Sequence, residues 1–133
     1  MYETPLSRGL NTGGSNYNYL NFQNYNTSQT NTCSQTISNM SAGTYTLSIW
    51  ITPRKTNYFS TQTGNVTIGG TTVITCPAFT NNGTTTPWSH LTGTYTLTAG
   101  TAGSKVLAIN IMNSSAANVT TVYISTVSLK RTA

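Results

Sequence analysis

The strongest structural signal in the chain is the alternation of apolar and polar residues between Thr44 and Ile51. One face carries the apolar residues Tyr45, Leu47, Ile49 and Ile51. The other face carries Thr44, Thr46, Ser48 and Trp50. Because side chains alternate along a strand, this pattern predicts an antiparallel strand with one face in the core. Ser41-Ala42-Gly43 precedes it as a tight turn, in which Gly43 can adopt positive φ.

The composition favours strands over disorder. The chain of 133 residues is long enough for one domain with its own core. Only 5% of its residues are charged, and Thr, Asn and Ser together supply roughly two-fifths of it, far above ordinary usage. Such polarity raises the alternative of a disordered chain. Abundant Thr, eight tyrosines and regular alternation instead favour strands with a neutral solvent face.

Turn residues divide the chain into about eight predicted strands, and no stretch has helical periodicity. The predicted strands span 17–22, 33–38, 44–52, 65–68, 71–76, 88–97, 105–112 and 119–129. Gly69-Gly70 predicts a two-residue hairpin turn, and 23–32 is predicted as a loop. The pattern predicts an all-β domain, an antiparallel β-sandwich or jelly roll, over 16–133. Residues 1–15 have no periodicity and are predicted to form an extended N-terminal arm.

The pentapeptide Gly-Thr-Tyr-Thr-Leu occurs twice, at 43–47 and at 93–97. The residues that flank the two copies do not repeat. We therefore interpret the copies as two equivalent strand starts within one sandwich, and not as units of a repeat array.

The residue counts argue against an enzyme. Glu3 is the only acid, whereas paired-carboxylate glycoside hydrolysis needs two acids and a Ser-His-Asp triad needs an Asp. Cys33, Cys76 and His90 lack the short spacings of zinc ligands, and the chain has no phosphate-binding glycine motif. A cysteine paired with His90 remains as a nucleophile, but nothing else in the sequence points to an activated thiol. We predict no catalytic residues, no cofactor and no metal.

The charge and targeting signals are weak. Six basic residues give a formal net charge of +5, but they form no stripe, so we predict scattered solubilising charges and no specific nucleic-acid site. No signal-peptide pattern or membrane-spanning apolar run is present. Six N-glycosylation sequons, at Asn26, Asn39, Asn65, Asn82, Asn113 and Asn118, are expected in part by chance in a chain so rich in Asn and Thr.

The two cysteines, Cys33 and Cys76, both lie at ends of predicted strands. We predict a disulfide between them, which would close a loop of about 43 residues and stabilise the fold by up to roughly 4 kcal/mol in the chain-entropy model. The alternative is that both are small buried hydrophobic residues. A bridge would favour an extracellular or virion environment over a reducing one.

The order of several short motifs resembles a known family. The motifs are the strand from Gln35, Ala42-Gly43-x-Tyr45-x-Leu47-Ser48-x-Trp50, Trp88, Thr94-Tyr95-Thr96, Leu107-x-Ile109 and Val127-Ser128-Leu129. Together they resemble the carbohydrate-binding-module type jelly roll, the galactose-binding-like sandwich of modules 4, 9 and 22. Members usually carry acids before the Val-Ser-Leu ending that serve a structural calcium. This chain has Ser125-Thr126 there, and calcium needs carboxylates, so we predict no calcium site.

On a sandwich fold, outward-facing aromatic and amide groups are the candidate contacts for a glycan or a protein partner. Trp50 faces away from the apolar side of its strand, and Asn110 faces away from Ile109 and could join it. Tyr58 and Tyr123 are further candidates. The alternative for Trp50 is packing under a loop or against a neighbouring subunit, and Trp88 is predicted to fill the core.

These observations favour a non-enzymatic structural protein, a jelly-roll building block or decoration of a virion or extracellular assembly. Acid-poor, Asn- and Thr-rich sandwiches of this kind resemble domains in virion proteins of large DNA viruses and in phage fibres. The predicted partners are other copies of the chain or other structural proteins of the assembly, without membrane insertion. The alternative function is a carbohydrate-binding module for neutral glycans.

Overall fold

The computed structural model describes residues 20–24, 29–53, 64–78, 88–113 and 120–133. The strands are β1 Leu20–Asn24, β2 Gln29–Met40, β3 Gly43–Pro53, β4 Gly64–Ile68, β5 Thr71–Cys76, β6 Ser89–Leu97, β7 Gly103–Asn113 and β8 Thr120–Arg131. A 3₁₀ turn at Ala99–Thr101 joins β6 to β7. The predicted all-β class with about eight strands is confirmed. The predicted arm at 1–15 lies outside the described residues.

The strands form two four-stranded sheets. The first sheet has the order β1-β8-β3-β6, and the second has the order β2-β7-β4-β5. All neighbouring strands pair antiparallel. Consecutive strands lie in different sheets at every connection except β4–β5, so neither sheet is built from one continuous stretch of the chain. Within the described residues, no helix is long and apolar enough to cross a membrane.

The core lies between the inner faces of the two sheets. Leu47, Ile49 and Ile51 of β3 are completely buried, so the alternation predicted for this strand is confirmed. They pack with buried residues of both sheets, which are Phe22, Val66, Ile68, Ile74, Cys76, Leu107, Ile109, Ile111, Val122 and Ile124. Tyr45 lies at the end of this core, in a smaller cluster with Met40 and Leu97. Burial of these aliphatic side chains is the main source of stability in a chain with few charges.

Backbone conformation explains the turns. Gly69 and Gly70 have φ of 56° and 82° between β4 and β5, which confirms the predicted hairpin, since the favoured two-residue turns need positive φ. Gly43 also has positive φ, at 149°. Near the end of β2, where the register shifts between Ile37 and Met40, Asn39 lies in the left-handed region with φ of 54°, which Asn tolerates better than most residues.

Strand β2 is longer than the sequence pattern predicts. It begins at Gln29 and pairs with β7 from Gln29 opposite Asn113 to Ile37 opposite Lys105. The prediction of a loop over 23–32 is therefore wrong for 29–32, and it is also wrong for 23–24, which belong to β1. These residues show no apolar alternation because β2 is an edge strand, and even its inward-facing Cys33 and Gln35 are exposed. The burial that normally marks a strand in the sequence is absent there.

The two Gly-Thr-Tyr-Thr-Leu copies pair with each other. They lie on β3 and β6, and the antiparallel register sets Gly43 opposite Leu97 and Leu47 opposite Gly93. Tyr45 lies opposite Tyr95 at the centre. The two copies are thus related by a local two-fold axis within the first sheet. Both copies lie in one sandwich, as interpreted, but only the first begins its strand. The second copy ends β6, so the interpretation as two equivalent strand starts is wrong for 93–97.

The two long sides of the sandwich differ. On one side, β5 approaches β6 so closely that a Cβ on Gly93 would collide with the carbonyl oxygen of Val73. On the other side, an open groove of about 310 Å³ runs between β8 and β2. Its lining comes mainly from Leu20, Val127, Cys33, Gln35, Leu107 and Ile109. We call it the edge groove.

Candidate functional site

The outer face of the first sheet carries an aromatic cluster at one end. Trp50 on β3 lies opposite His90 on β6 and opposite Ser125 on β8. The ring of Trp50 stacks on that of His90, with centroids 4.5 Å apart and an interplanar angle of 20°. Trp88 and Tyr123 complete the cluster. We call these four residues the aromatic corner.

Trp50 points away from the core, as the alternation predicts, but it is not open to solvent. Only 3% of its surface is exposed, and His90 covers one face of the indole ring. A sugar that stacks on an aromatic ring needs an exposed ring face. Trp50 therefore offers no open platform in this conformation, and the packing role that the sequence left as an alternative describes its position.

Trp88 and Tyr123 belong to the same buried cluster. Trp88 is buried as predicted, but it does not fill the core between the sheets, because it packs with Trp50 and Tyr123 on the outer face. This position corrects the prediction of a core-filling role. Trp88 directly precedes β6, which runs antiparallel to β3, so Trp88 lies beside the C-terminal end of β3. Tyr58 lies outside the described residues.

Beyond the aromatic corner, the outer face of the first sheet is covered by hydroxyl groups. Ser48 lies between Thr92 and Ser128, and the next row places Thr46 between Thr94 and Lys130. Thr92 and Thr94 are exposed, whereas Ser48 is buried between its neighbours. This part of the face can donate and accept hydrogen bonds and carries a single ammonium group.

The outer face of the second sheet carries a hydrogen-bonded row of amides. Thr32 on β2 donates from Oγ1 to Asn110 Oδ1 at 2.8 Å. Asn110 on β7 donates from Nδ2 to Asn65 Oδ1 on β4 at 2.9 Å. The strand register sets Thr32, Asn110 and Asn65 side by side across three strands. We call these three residues the amide row.

Asn110 and Trp50 do not lie together. Asn110 faces outward from the second sheet, and Trp50 faces outward from the first, so the whole core separates them. The expectation that Asn110 could join Trp50 in one site is therefore wrong. The strand patterns showed that both residues face outward, but they did not show that β3 and β7 lie in different sheets.

The amide row is open to ligands and rigid. Thr32 is exposed, and Asn65 and Asn110 are half-buried. The bond between the two amides uses one of their four N–H groups, so within the described residues the others can donate outward. The bonds along the row fix the amide orientations, which reduces the entropy lost when a ligand binds. The strand pattern predicts Asn110 as an outward contact but identifies neither Thr32 nor Asn65 as a site residue. Asn65 faces outward in a predicted strand, whereas Thr32 falls in the predicted loop and carries no such signal.

The structure contains no disulfide between Cys33 and Cys76, and both are free thiols. Cys33 pairs with Ile109, Ile109 with Val66 and Val66 with Ile74, so three strand spacings separate β2 from β5. That is roughly 14 Å, whereas a disulfide needs Cα atoms about 4.4–6.8 Å apart. The predicted bridge is corrected for this reason.

The two thiols have different surroundings. Cys76 is completely buried in the core, and this burial raises the pKa of its thiol from 9.0 to about 12. It matches the alternative of a small buried hydrophobic residue. Cys33 faces the edge groove and is exposed. Among the described residues, the lining of the edge groove beside Cys33 includes no basic side chain, and Cys76 packs in the apolar core.

The available groups support binding chemistry. The described residues include no Asp or Glu, and among them no group of three metal-ligating side chains comes together. The polar side chains of the amide row and of the hydroxyl-covered face can donate and accept hydrogen bonds. The edge groove is lined mostly by apolar atoms, which suits the hydroxyl groups of a sugar less well than the amide row does.

Comparisons with known proteins show the fold. The sequence matches no protein-family profile, and no curated protein matches it. Among solved structures, the chain is similar to the EclA C-terminal domain, described as a sugar-binding protein. The identity is 16% over 86% of this chain and 80% of that one, with a TM-score of 0.58.

A second similar structure is CBM35 from Cellvibrio japonicus Abf62, at 19% identity over 81% of this chain and 74% of that one, with a TM-score of 0.42. At these identities the likeness concerns the fold alone. The chain therefore shares the two-sheet antiparallel β-sandwich fold of the EclA C-terminal domain.

Proposed function

We propose that this protein is a non-enzymatic binding module for neutral glycans, which was the alternative function in the sequence analysis. The observation that carries the proposal is the likeness of the fold to a sugar-binding domain, with a TM-score of 0.58 over 86% of the chain. A fold hosts many functions, so the proposal also needs a surface with suitable chemistry.

The amide row is the surface that fits this function best. Sugar hydroxyls both donate and accept hydrogen bonds, and the side chains of Asn and Thr do the same without charge. The row aligns Thr32, Asn110 and Asn65 across three strands at fixed orientations. An extended glycan lying across these strands would meet several polar groups in succession.

The described charges favour a neutral ligand. The described side chains provide no carboxylate to receive an amino sugar, and Lys130 and Arg131 lie on β8 of the opposite sheet. Lys105 lies on β7, five residues from Asn110, and shares the strand face of Leu107, which is opposite to that of Asn110. Recognition at the amide row would therefore depend on hydrogen bonds and contact with little contribution from charge.

The test compares retention of variants on immobilised neutral polysaccharides, such as β-glucan, xylan, mannan and galactan. Asn65→Asp keeps an oxygen that accepts the hydrogen bond from Asn110, but it removes the N–H donors of Asn65. Asn65→Asp and Asn110→Ala, tested as separate variants, should each lower the affinity for the polysaccharide about tenfold or more. The reason is that each change leaves polar groups at the site unpaired.

Ser128→Ala is the matched control, because it removes one hydroxyl from the outer face of the opposite sheet. It should leave retention unchanged. If the wild type binds none of the neutral polysaccharides and no neutral structure on a glycan array, the proposed function is wrong. If binding is lost in Ser128→Ala and kept in Asn65→Asp, the function stands and the site is wrong.

A structural role in a virion or extracellular assembly stays a prediction, and so does that location. The fold likeness does not bear on either.

A further inference from the structure

We infer that the outer edge of β6 is a docking site for β6 of a second copy of this chain, which joins the first sheets of two molecules into one continuous antiparallel sheet. This self-association does not depend on glycan binding. It follows from the pairing properties of one pentapeptide.

The chain itself demonstrates that Gly-Thr-Tyr-Thr-Leu pairs with its own copy. The copy on β3 and the copy on β6 pair antiparallel, with Tyr45 opposite Tyr95 and Thr46 opposite Thr94. A second molecule presents the identical pentapeptide on its β6. Pairing of two β6 strands about Tyr95 would place the same residue types opposite each other, with Gly93 opposite Leu97 and Thr94 opposite Thr96. The hydrogen-bonded and non-hydrogen-bonded positions would be exchanged, because a strand uses alternate residues on its two edges.

Among the described residues, no strand is paired to the outer edge of β6, since β6 pairs with β3 alone. The close approach of β5 involves the side of Gly93 on which a Cβ would point, which is the inner face. Strand pairing uses the backbone groups along the edge and extends the sheet sideways.

Edge β6 lacks the features by which proteins protect strand edges. Such features are charges, prolines, bulges and short length. Strand β6 has nine residues with no charge and no proline, and all nine pair with β3 without a register shift. By contrast, β1 has five residues, and β2 and β5 each contain a register shift.

Side-chain exposure on β6 also fits a second copy. Leu91 and Tyr95 point to the core side, yet both stay half-buried because the strand is at an edge. A neighbouring strand would cover part of their remaining surface. Thr92, Thr94 and Thr96 are exposed on the outer face, where threonines of two strands form favourable cross-strand pairs.

The test measures the oligomeric state by sedimentation velocity over a concentration series that reaches about 1 mM, the affinity of a weak complex. The wild type should form a dimer. The double variant Thr94→Lys/Thr96→Lys sets like charges directly opposite each other in the two-fold register, and it should weaken the dimer about tenfold or more.

A charge reversal tests the register. Thr94→Lys/Thr96→Glu changes the same two positions, but it sets opposite charges face to face at both symmetric pairs. It should restore the dimer, and raised salt should weaken it again. A general disturbance of β6 by charged residues would instead reduce dimer formation equally in both double variants.

Ser34→Lys/Thr36→Lys on the other long edge, β2, is the control, since both residues are exposed. It should dimerise as the wild type does. A wild type that stays monomeric throughout the series overturns the inference. So does a dimer that persists in Thr94→Lys/Thr96→Lys or is lost through the β2 variant alone.

Discussion

Trp50 and His90 stack face to face across β3 and β6, with ring centroids 4.5 Å apart and planes inclined by 20°. His90 is the cross-strand partner of Trp50, so the register of β3 and β6 places the two rings next to each other. The stack lies on the outer face of the sheet, yet Trp50 is only 3% exposed. The aromatic corner therefore acts as a small second core on the outside of the sandwich.

This arrangement predicts that Trp50→Ala mainly affects stability. Removing a buried aromatic side chain should cost about 3–5 kcal/mol of unfolding free energy. His90→Ala removes only the stacking partner and should cost about 0.5–1.5 kcal/mol. Urea unfolding measures both values. If Trp50→Ala is as stable as the wild type and loses glycan retention, Trp50 is a ligand platform and its assignment to packing is wrong.

The two cysteines should differ in reactivity at neutral pH. Cys33 is exposed and Cys76 is completely buried, so a thiol reagent such as Ellman's should modify one thiol per folded molecule. The second should react only after unfolding in urea. Cys33→Ser should leave no fast-reacting thiol, whereas fast reaction of both thiols in the wild type would contradict the position of Cys76.

The raised pKa of Cys76 predicts a loss of stability at alkaline pH. The thiol has a pKa of about 12 in the folded chain, and about 8.5–9 is ordinary for an unfolded one. Between these values the unfolded state has lost a proton that the folded state keeps, so unfolding becomes more favourable as pH rises.

The linked loss approaches about 4 kcal/mol near pH 12, since one pKa unit corresponds to about 1.4 kcal/mol. Other groups also titrate there, so the comparison is between variants. Cys76→Ala should flatten the alkaline fall in stability relative to the wild type, and Cys33→Ser should retain it. Equal slopes in Cys76→Ala and the wild type would refute the linkage.

The glycines of the two pentapeptide copies should both resist substitution, for different reasons. A Cβ on Gly43 would lie 2.5 Å from Arg131 Nε and 2.6 Å from the carbonyl oxygen of Ala133. A Cβ on Gly93 would press on a backbone carbonyl of β5. Each change to Ala should therefore destabilise the fold by about 1–3 kcal/mol.

Gly100 is the control for these substitutions, because nothing lies within 4 Å of a Cβ at that position. Gly100→Ala should change stability by less than about 0.5 kcal/mol, as is usual for surface positions. Thermal or urea unfolding of Gly43→Ala, Gly93→Ala and Gly100→Ala measures the loss of stability in each variant. A neutral Gly93→Ala would mean that β5 and β6 do not approach closely.

Glycan retention should depend little on salt. A ligand held by amides and hydroxyls releases no counterions, unlike a polyanion bound by Lys and Arg. Affinity for a neutral polysaccharide should stay within about twofold between low and high salt in affinity electrophoresis or calorimetry. Binding of heparin, if observed, should fall steeply in the same series and serves as the control. A steep fall for the neutral polysaccharide would place charge at the site.

The sequence predicts those strands whose inward residues are buried. Leu47, Ile49 and Ile51 alternate visibly with polar neighbours, and Gly69-Gly70 marks the hairpin, so β3, β4 and β5 are close to their predicted bounds. The start of β2 is invisible because an edge strand buries few of its residues.

Relations between strands could not be predicted from these patterns. Alternation assigns Asn110 and Trp50 to outward faces, but only the strand order shows that these faces are on opposite sides of the molecule. The same holds for Cys33 and Cys76, which two intervening strands keep apart. The amide row joins residues far apart in sequence, and no local pattern connects Thr32, Asn65 and Asn110.

The unequal sides of the sandwich have a consequence for its motions. The side closed by Gly93 and Val73 leaves β5 and β6 little room to separate, whereas the edge groove separates β2 from the part of β8 that β1 does not cover. Local opening costs least where few apolar contacts break. We therefore expect the two sheets to separate first beside the edge groove, while β5 and β6 stay in contact. Backbone amides beside the groove should exchange with deuterium before those of β5 and β6.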